Sequence, residues 1–100
     1  MLNQAKDYDE TSEAVAVNSS YSQSVQVHWG PGATDGEVMV ECADAKSFSG
    51  RWAELKRMPC TGSNGLDLYQ HDGPCVFIRT RITKALSGGT VTTKLQMMNG

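Results

Sequence analysis

The stretch CVFIRTRITKALSGGTVTTKLQMM, residues 75–98, decides the fold class of this 100-residue chain. Its first half is rich in β-branched and aromatic side chains, which suit a pleated, half-buried strand. Alternation places Val76, Ile78, Thr80 and Ile82 on one face, with Phe77, Arg79 and Arg81 on the other. The two arginines imply that the second face meets solvent or a partner. ALSGG at residues 85–89 then turns the chain. The alternation resumes beyond it with Val91, Thr93, Leu95 and Met97 on one side. Two such runs about a Gly-Gly turn are expected to pair as a hairpin.

The same pattern extends upstream. SVQVHW at residues 24–29 directs Val25, Val27 and Trp29 one way, with Gln26 and His28 the other. EVMVEC at residues 37–42 directs Val38, Val40 and Cys42 inward, with Glu37, Met39 and Glu41 outward. The turn-rich GPGATDG between them, residues 30–36, predicts a first hairpin. RWAELKRM, residues 51–58, fits a strand or a single helical turn and is read as a strand, stopped by Pro59 and the TGSNG loop. LDLYQH, residues 66–71, is a short strand closed by DGP, and residues 13–18 form a short apolar strand candidate.

About seven short strands, with turns every 8–12 residues or so, describe an all-β protein, an antiparallel β-sandwich or jelly roll. Residues 14–100 are assigned to that domain. Residues 1–13 are polar and acidic, with Leu2 and Tyr8 as their only sizeable apolar anchors, and read as an extended arm, flexible or ordered by a partner.

Charge narrows the function classes. A net charge of −2 argues against nucleic-acid binding, which calls for a dominant basic field. The distribution is uneven. Lys6 against Asp7, Asp9, Glu10 and Glu13 gives the arm −3, while Arg79, Arg81, Lys84 and Lys94 give residues 79–94 +4 with no acid. This asymmetry suits contacts with a partner or a second copy. The candidate interface residues are therefore Asp7, Tyr8, Asp9, Glu10, Glu13, Arg79, Arg81 and Lys84.

No run of about 18 apolar residues is present, so no membrane span is expected. MLNQAKDYDETSEAV has no basic stretch followed by an apolar one, so a complete product made in the cytoplasm is expected. Cys42, Cys60 and Cys75 form no metal-ligand spacing. They are expected to be reduced, buried thiols; a Cys60–Cys75 bridge is conceivable if the protein ends up outside a cell.

No catalytic constellation emerges, and no cofactor is expected. His28 and His71 are read as surface residues. Pairing Cys75 with His71 supplies neither an orienting group nor an oxyanion hole. SGGT, residues 87–90, joins two strands and opens no helix, so it lacks the geometry that cradles phosphate. Trp29 falls on the inward face. Trp52 is either a sugar-stacking platform or a core plug, and the flanking alternation favours the plug.

VMVEC, SGRWAEL and VFIRTRIT followed by SGGTVTTKL, spanning roughly residues 24–96, resemble a pattern in two groups of β-sandwich proteins. One comprises small bacteriophage virion proteins that decorate or join capsid and tail parts. The other comprises discoidin-like jelly rolls, including carbohydrate-binding modules. In both groups Asp-Gly stands where this chain has Ser49–Gly50. The first resemblance implies a non-enzymatic capsid decoration or cement protein at the virion's capsid surface, made in the host cytoplasm. It would bind the major capsid protein or another virion protein, as a homo-oligomer. A head–tail or tail component is a variant of that reading. The second implies a carbohydrate-binding module with a surface glycan as ligand.

Overall fold

A computed structural model describes residues 1–17, 22–30, 32–33, 35–62, 65–72 and 75–98. Seven strands follow in order: β1 (Val15–Ala16), β2 (Ser22–Gly30), β3 (Asp35–Ala43), β4 (Ala53–Pro59), β5 (Gly65–Asp72), β6 (Phe77–Ser87) and β7 (Thr90–Met98). They form two antiparallel sheets, β1-β6-β3-β4 and β5-β2-β7, and the chain is an all-β sandwich. Of the segment RWAELKRM, Ala53 to Met58 lie in β4, which runs on through Pro59, and Arg51 and Trp52 precede it.

The inward sets read from the alternation meet between the sheets. Val25, Val27, Trp29 and Val91 face Val38, Val40, Met58, Ile78, Ile82 and Leu86 in one buried cluster. Burying a side chain of this size contributes about 1.5–3 kcal/mol, which makes this cluster the main stabilising element. Trp29 reaches as far as Gly65, where an added Cβ would lie 2.3 Å from the indole, so residue 65 must lack a side chain.

Neither expected hairpin forms. β2 pairs with β5 and β7, and β3 pairs with β4 and β6. From β2 to β3, and from β6 to β7, the chain instead passes as an arch from one sheet to the other. The reason lies in the faces. A flat hairpin would set two apolar faces side by side and leave both needing cover, whereas an arch lays them against each other. Thr80 and Thr93, on β6 and β7, meet hydroxyl to hydroxyl across the core at 2.8 Å. The arches also nest: Gly88, at φ +69°, sits where a Cβ would come within 2.5 Å of the Gly32 carbonyl oxygen.

The N-terminal segment corrects a second expectation. Residues 1–13 are not a free arm but lie along their own domain. The Ala5 N–H donates to the Val91 carbonyl at 2.9 Å, and the Val91 N–H returns the bond at 2.7 Å. Thr93 N–H donates to the Leu2 carbonyl, and Leu2 N–H to the Thr93 hydroxyl. Further along, the Asp9 N–H donates to the Ile82 carbonyl, the Ile82 N–H donates to the Glu10 carbonyl, and the Ser12 N–H reaches the Thr80 carbonyl. The segment thus begins on β7 of one sheet and ends beside β6 of the other, continuing into β1. Leu2 and Ala5 are buried in the core cluster. Polar composition hid this because backbone groups, not side chains, make most of the contact.

The cysteines depart from expectation too. Cys42 and Cys75 form a disulfide, with Cα atoms 6.4 Å apart, and Cys60 is the free, buried thiol. Cys42, one residue before the end of β3, lies beside the entry to β6, a juxtaposition that the β3–β6 pairing creates. The bridge closes 33 residues, a constraint on the unfolded chain that corresponds to about 3–4 kcal/mol in the loop-entropy picture.

Two outcomes follow from this description. In a colorimetric thiol titration without reductant, the native protein is expected to show no reactive thiol, the denatured protein one and the reduced, denatured protein three. Three thiols before reduction would contradict the bridge. Deleting residues 1–13 uncovers the β6 and β7 edges and removes Leu2 and Ala5 from the core. Urea unfolding is expected to show a loss of about 3 kcal/mol or more, with Leu2→Ala alone costing about 2 kcal/mol.

Candidate functional site

The alternation that sends Glu41, Arg79 and Arg81 away from the core gathers them into one cluster on the outer face of the four-stranded sheet. Glu41 stands opposite Arg79 in the β3–β6 register, and Met39 stands opposite Arg81. A register shift between Val40 and Glu41 marks the same point on the β4 side. The Glu41 carboxylate accepts from Arg79 Nε at 2.9 Å. It also accepts from Arg81, Nε at 3.2 Å and the terminal nitrogen at 3.1 Å. Only 4% of the Glu41 side chain is exposed, against 23% and 24% for the arginines. One carboxylate between two guanidiniums leaves an excess positive charge, and Asp9 of the N-terminal segment meets Arg81 at 3.2 Å to offset it. Bonding to Glu41 holds the Arg81 guanidinium even more firmly protonated than usual.

Trp52 belongs to this cluster. It is buried, as the plug reading required, but outside the inter-sheet core. The Arg79 guanidinium lies 4.0 Å over its ring, a cation–π contact. Its indole N–H donates to the Phe48 carbonyl at 2.9 Å, which fixes the connector of residues 44–52. Met39 is fully buried on the same face, between Arg57 and Arg81 on the flanking strands. The arginines flank it, and with Trp52 it forms a small buried apolar set on this outer face.

The candidate interface residues largely find partners within the chain. Asp9 takes Arg81, Arg79 and Arg81 take Glu41, and Lys84 takes Asp35 at 2.8 Å. Lys84 in turn holds the Asp35 carboxyl below its ordinary range, helped by the Gly36 N–H. Glu10 folds back to accept the Lys6 and Asp7 backbone N–H groups, each at 2.8 Å, which lowers its carboxyl below the usual range. Asp7 and Glu13 are exposed, and Tyr8 is 65% exposed. The negative arm and the positive strand are therefore complementary surfaces of one molecule.

The Cys75 sulfur is committed to the disulfide, so it is not a thiolate for His71 to activate. Burial, with the nearby Asp67 and Glu37 carboxylates, pushes the Cys60 thiol up to about 11. Among the described residues no three His, Cys, Asp or Glu side chains gather as metal ligands. Asn18 of the Asn-Ser-Ser sequence lies outside the described residues.

The surface that sequence reasoning missed is the outer face of β5-β2-β7. Register aligns Leu66, His28 and Thr92 in one row and Leu68, Gln26 and Lys94 in the next. Gln26, His28, Leu66, Thr92 and Lys94 line a shallow open groove of ≈ 240 Å³. Leu66 and Leu68 are 65% and 56% exposed, unusual for leucines on a regular strand. The outward parity of Gln26, His28, Thr92 and Lys94 was visible in the alternation, but nothing in LDLYQH tells whether the leucines or Tyr69 face the core. A second open recess, ≈ 310 Å³, lies beside the disulfide and is lined by Cys42, Ala43, Asp44, Ala53, Cys75 and Val76.

Comparison with known proteins adds no relative: no family model, curated protein or solved structure matches this chain.

The buried carboxylate makes a sharp test. Glu41→Gln leaves two arginines facing a neutral amide and is expected to cost about 2–4 kcal/mol in urea unfolding. Asp9→Asn, removing an exposed partner, is expected to cost under about 1 kcal/mol. Equal small losses in both would show that Glu41 does not anchor the face.

Proposed function

We propose that this protein is a non-enzymatic structural component of a phage virion, a decoration or cement protein that binds the assembled shell and stabilises it through subunit contacts. The sequence resemblance to small virion β-sandwich proteins supports the virion setting. The observation that carries the binding role is the outer face of β5-β2-β7, with two exposed leucines beside Gln26, His28, Thr92 and Lys94. Partly apolar and edged with donors, it has the mixed character of a protein-binding surface. The partner is the major capsid protein or another virion protein, at the capsid surface. On this reading the chain is made in the reducing host cytoplasm, and the Cys42–Cys75 bridge closes once the particle is outside.

The interface differs from the one the charge distribution suggested. Docking through residues 1–13 would require breaking their bonds to β6 and β7, whereas the sheet face needs no rearrangement. The carbohydrate reading fares worse on the same ground. It relied on an exposed indole, and both Trp29 and Trp52 are buried, at 7% and 3% exposure.

The purified protein is expected to co-sediment with particles of the phage that encodes it. His28→Glu combined with Lys94→Glu should abolish this while leaving the urea midpoint within error. Wild-type protein that stays in the supernatant, or unchanged binding by the variant, would sink the proposal. Retention on a glycan array in place of particles would restore the carbohydrate alternative.

A further inference from the structure

We infer that β5 pairs with β5 of a second copy, antiparallel about a two-fold axis at Tyr69, joining the two three-stranded sheets into one of six strands. This goes beyond the shell-binding reading and stands without it.

The sandwich has four sheet margins, and three are closed to such pairing. Residues 2–5 lie on β7, and residues 9–12 with β1 cover β6. β4 carries Lys56 and Arg57 and ends in Pro59, which has no N–H to offer. β5 terminates its sheet, is eight residues long and carries Leu66 and Leu68 exposed on one side. On β7 the Val91 and Thr93 N–H groups go to the N-terminal segment, so alternation across the β7-β2-β5 register turns the Leu68 N–H away from β2. That N–H donates to Asp67 Oδ1 at 2.8 Å. By strand alternation the backbone groups of Leu66 and Gln70 point the same way, ready to receive another strand.

Charge selects the register. An axis at Asp67 would set two Asp67 carboxylates opposite each other, which is destabilising. An axis at Tyr69 sets Asp67 opposite His71 of the second copy, twice by symmetry, and Leu68 opposite Gln70 of the second copy. The Asp67 carboxylate then gives up the Leu68 N–H to a backbone carbonyl and comes beside the imidazole, which turns from the Tyr69 hydroxyl it meets at 3.4 Å in the separated chain. In the separated chain the same carboxylate caps the exposed edge, so neither state leaves the Leu68 N–H unsatisfied.

Sedimentation equilibrium of the full chain, across a wide concentration range, is expected to show a reversible monomer–dimer equilibrium. His71→Asp should weaken association about tenfold or more, from two like-charge pairs, and the exchange Asp67→His with His71→Asp should restore it. Under oxidising conditions, Asp67→Cys with His71→Cys should yield a covalent dimer, and either single variant should not. Circular dichroism keeps each variant's fold in view. A monomer at every concentration, or a dimer indifferent to His71→Asp, would overturn the pairing. Efficient cross-linking by Asp67→Cys alone would overturn the register. None of these measurements involves particles, so their failure is distinct from failure of the shell-binding test.

Discussion

A single carboxylate organises the outer half of this molecule. Glu41 is nearly buried, and an ionised group there is tolerable only if charged donors surround it. Arg79 and Arg81 supply those donors, from alternate positions on the neighbouring strand. Once they converge on Glu41, the remaining arrangement follows. Arg79 spreads over Trp52, Trp52 pins the connector through Phe48, and Arg81 reaches the N-terminal segment through Asp9. Three regions distant in sequence are thus registered against one side chain. The apolar core between the sheets supplies most of the stabilising burial, but it does not fix these positions.

The uneven charge distribution takes its meaning from the same arrangement. A segment of net −3 and a strand of high positive charge resemble two halves of an intermolecular contact when read along the chain. In space the two lie side by side, and their opposite signs help hold the segment where its backbone already pairs. The uncovered face, β5-β2-β7, carries few charges. Its chemistry is that of aliphatic side chains beside amide, imidazole and hydroxyl groups, which is why charge reasoning passed over it.

The fold class and the facing of most strands were legible in the sequence, because a period of two is unambiguous where one face is apolar. Val25, Val27 and Trp29, Val38 and Val40, and Ile78 and Ile82 all point where alternation put them. Strand partnership was not legible. A Gly-rich turn serves a hairpin and an inter-sheet arch equally well, and alternation is the same in both. The Cys42–Cys75 bridge was hidden for the same reason, since it depends on β6 lying beside β3. The N-terminal segment was misread because its docking rests on backbone hydrogen bonds, which leave no trace in composition. Trp52 was correctly taken as buried, but a second small core on an outer sheet face has no periodic signature.

The connectivity also governs how the chain must assemble as it is made. β2 is the central strand of its sheet, yet both its neighbours, β5 and β7, come later in the chain. Leu2 finds its partner at Thr93, ninety-one residues on. A growing chain can pair β2 with β5, but the other side of β2, and residues 2–5, stay without a partner until residues 90–98 have been made. Closing such distant contacts is slow compared with local pairing. The first residues of the sandwich are thus among the last to settle.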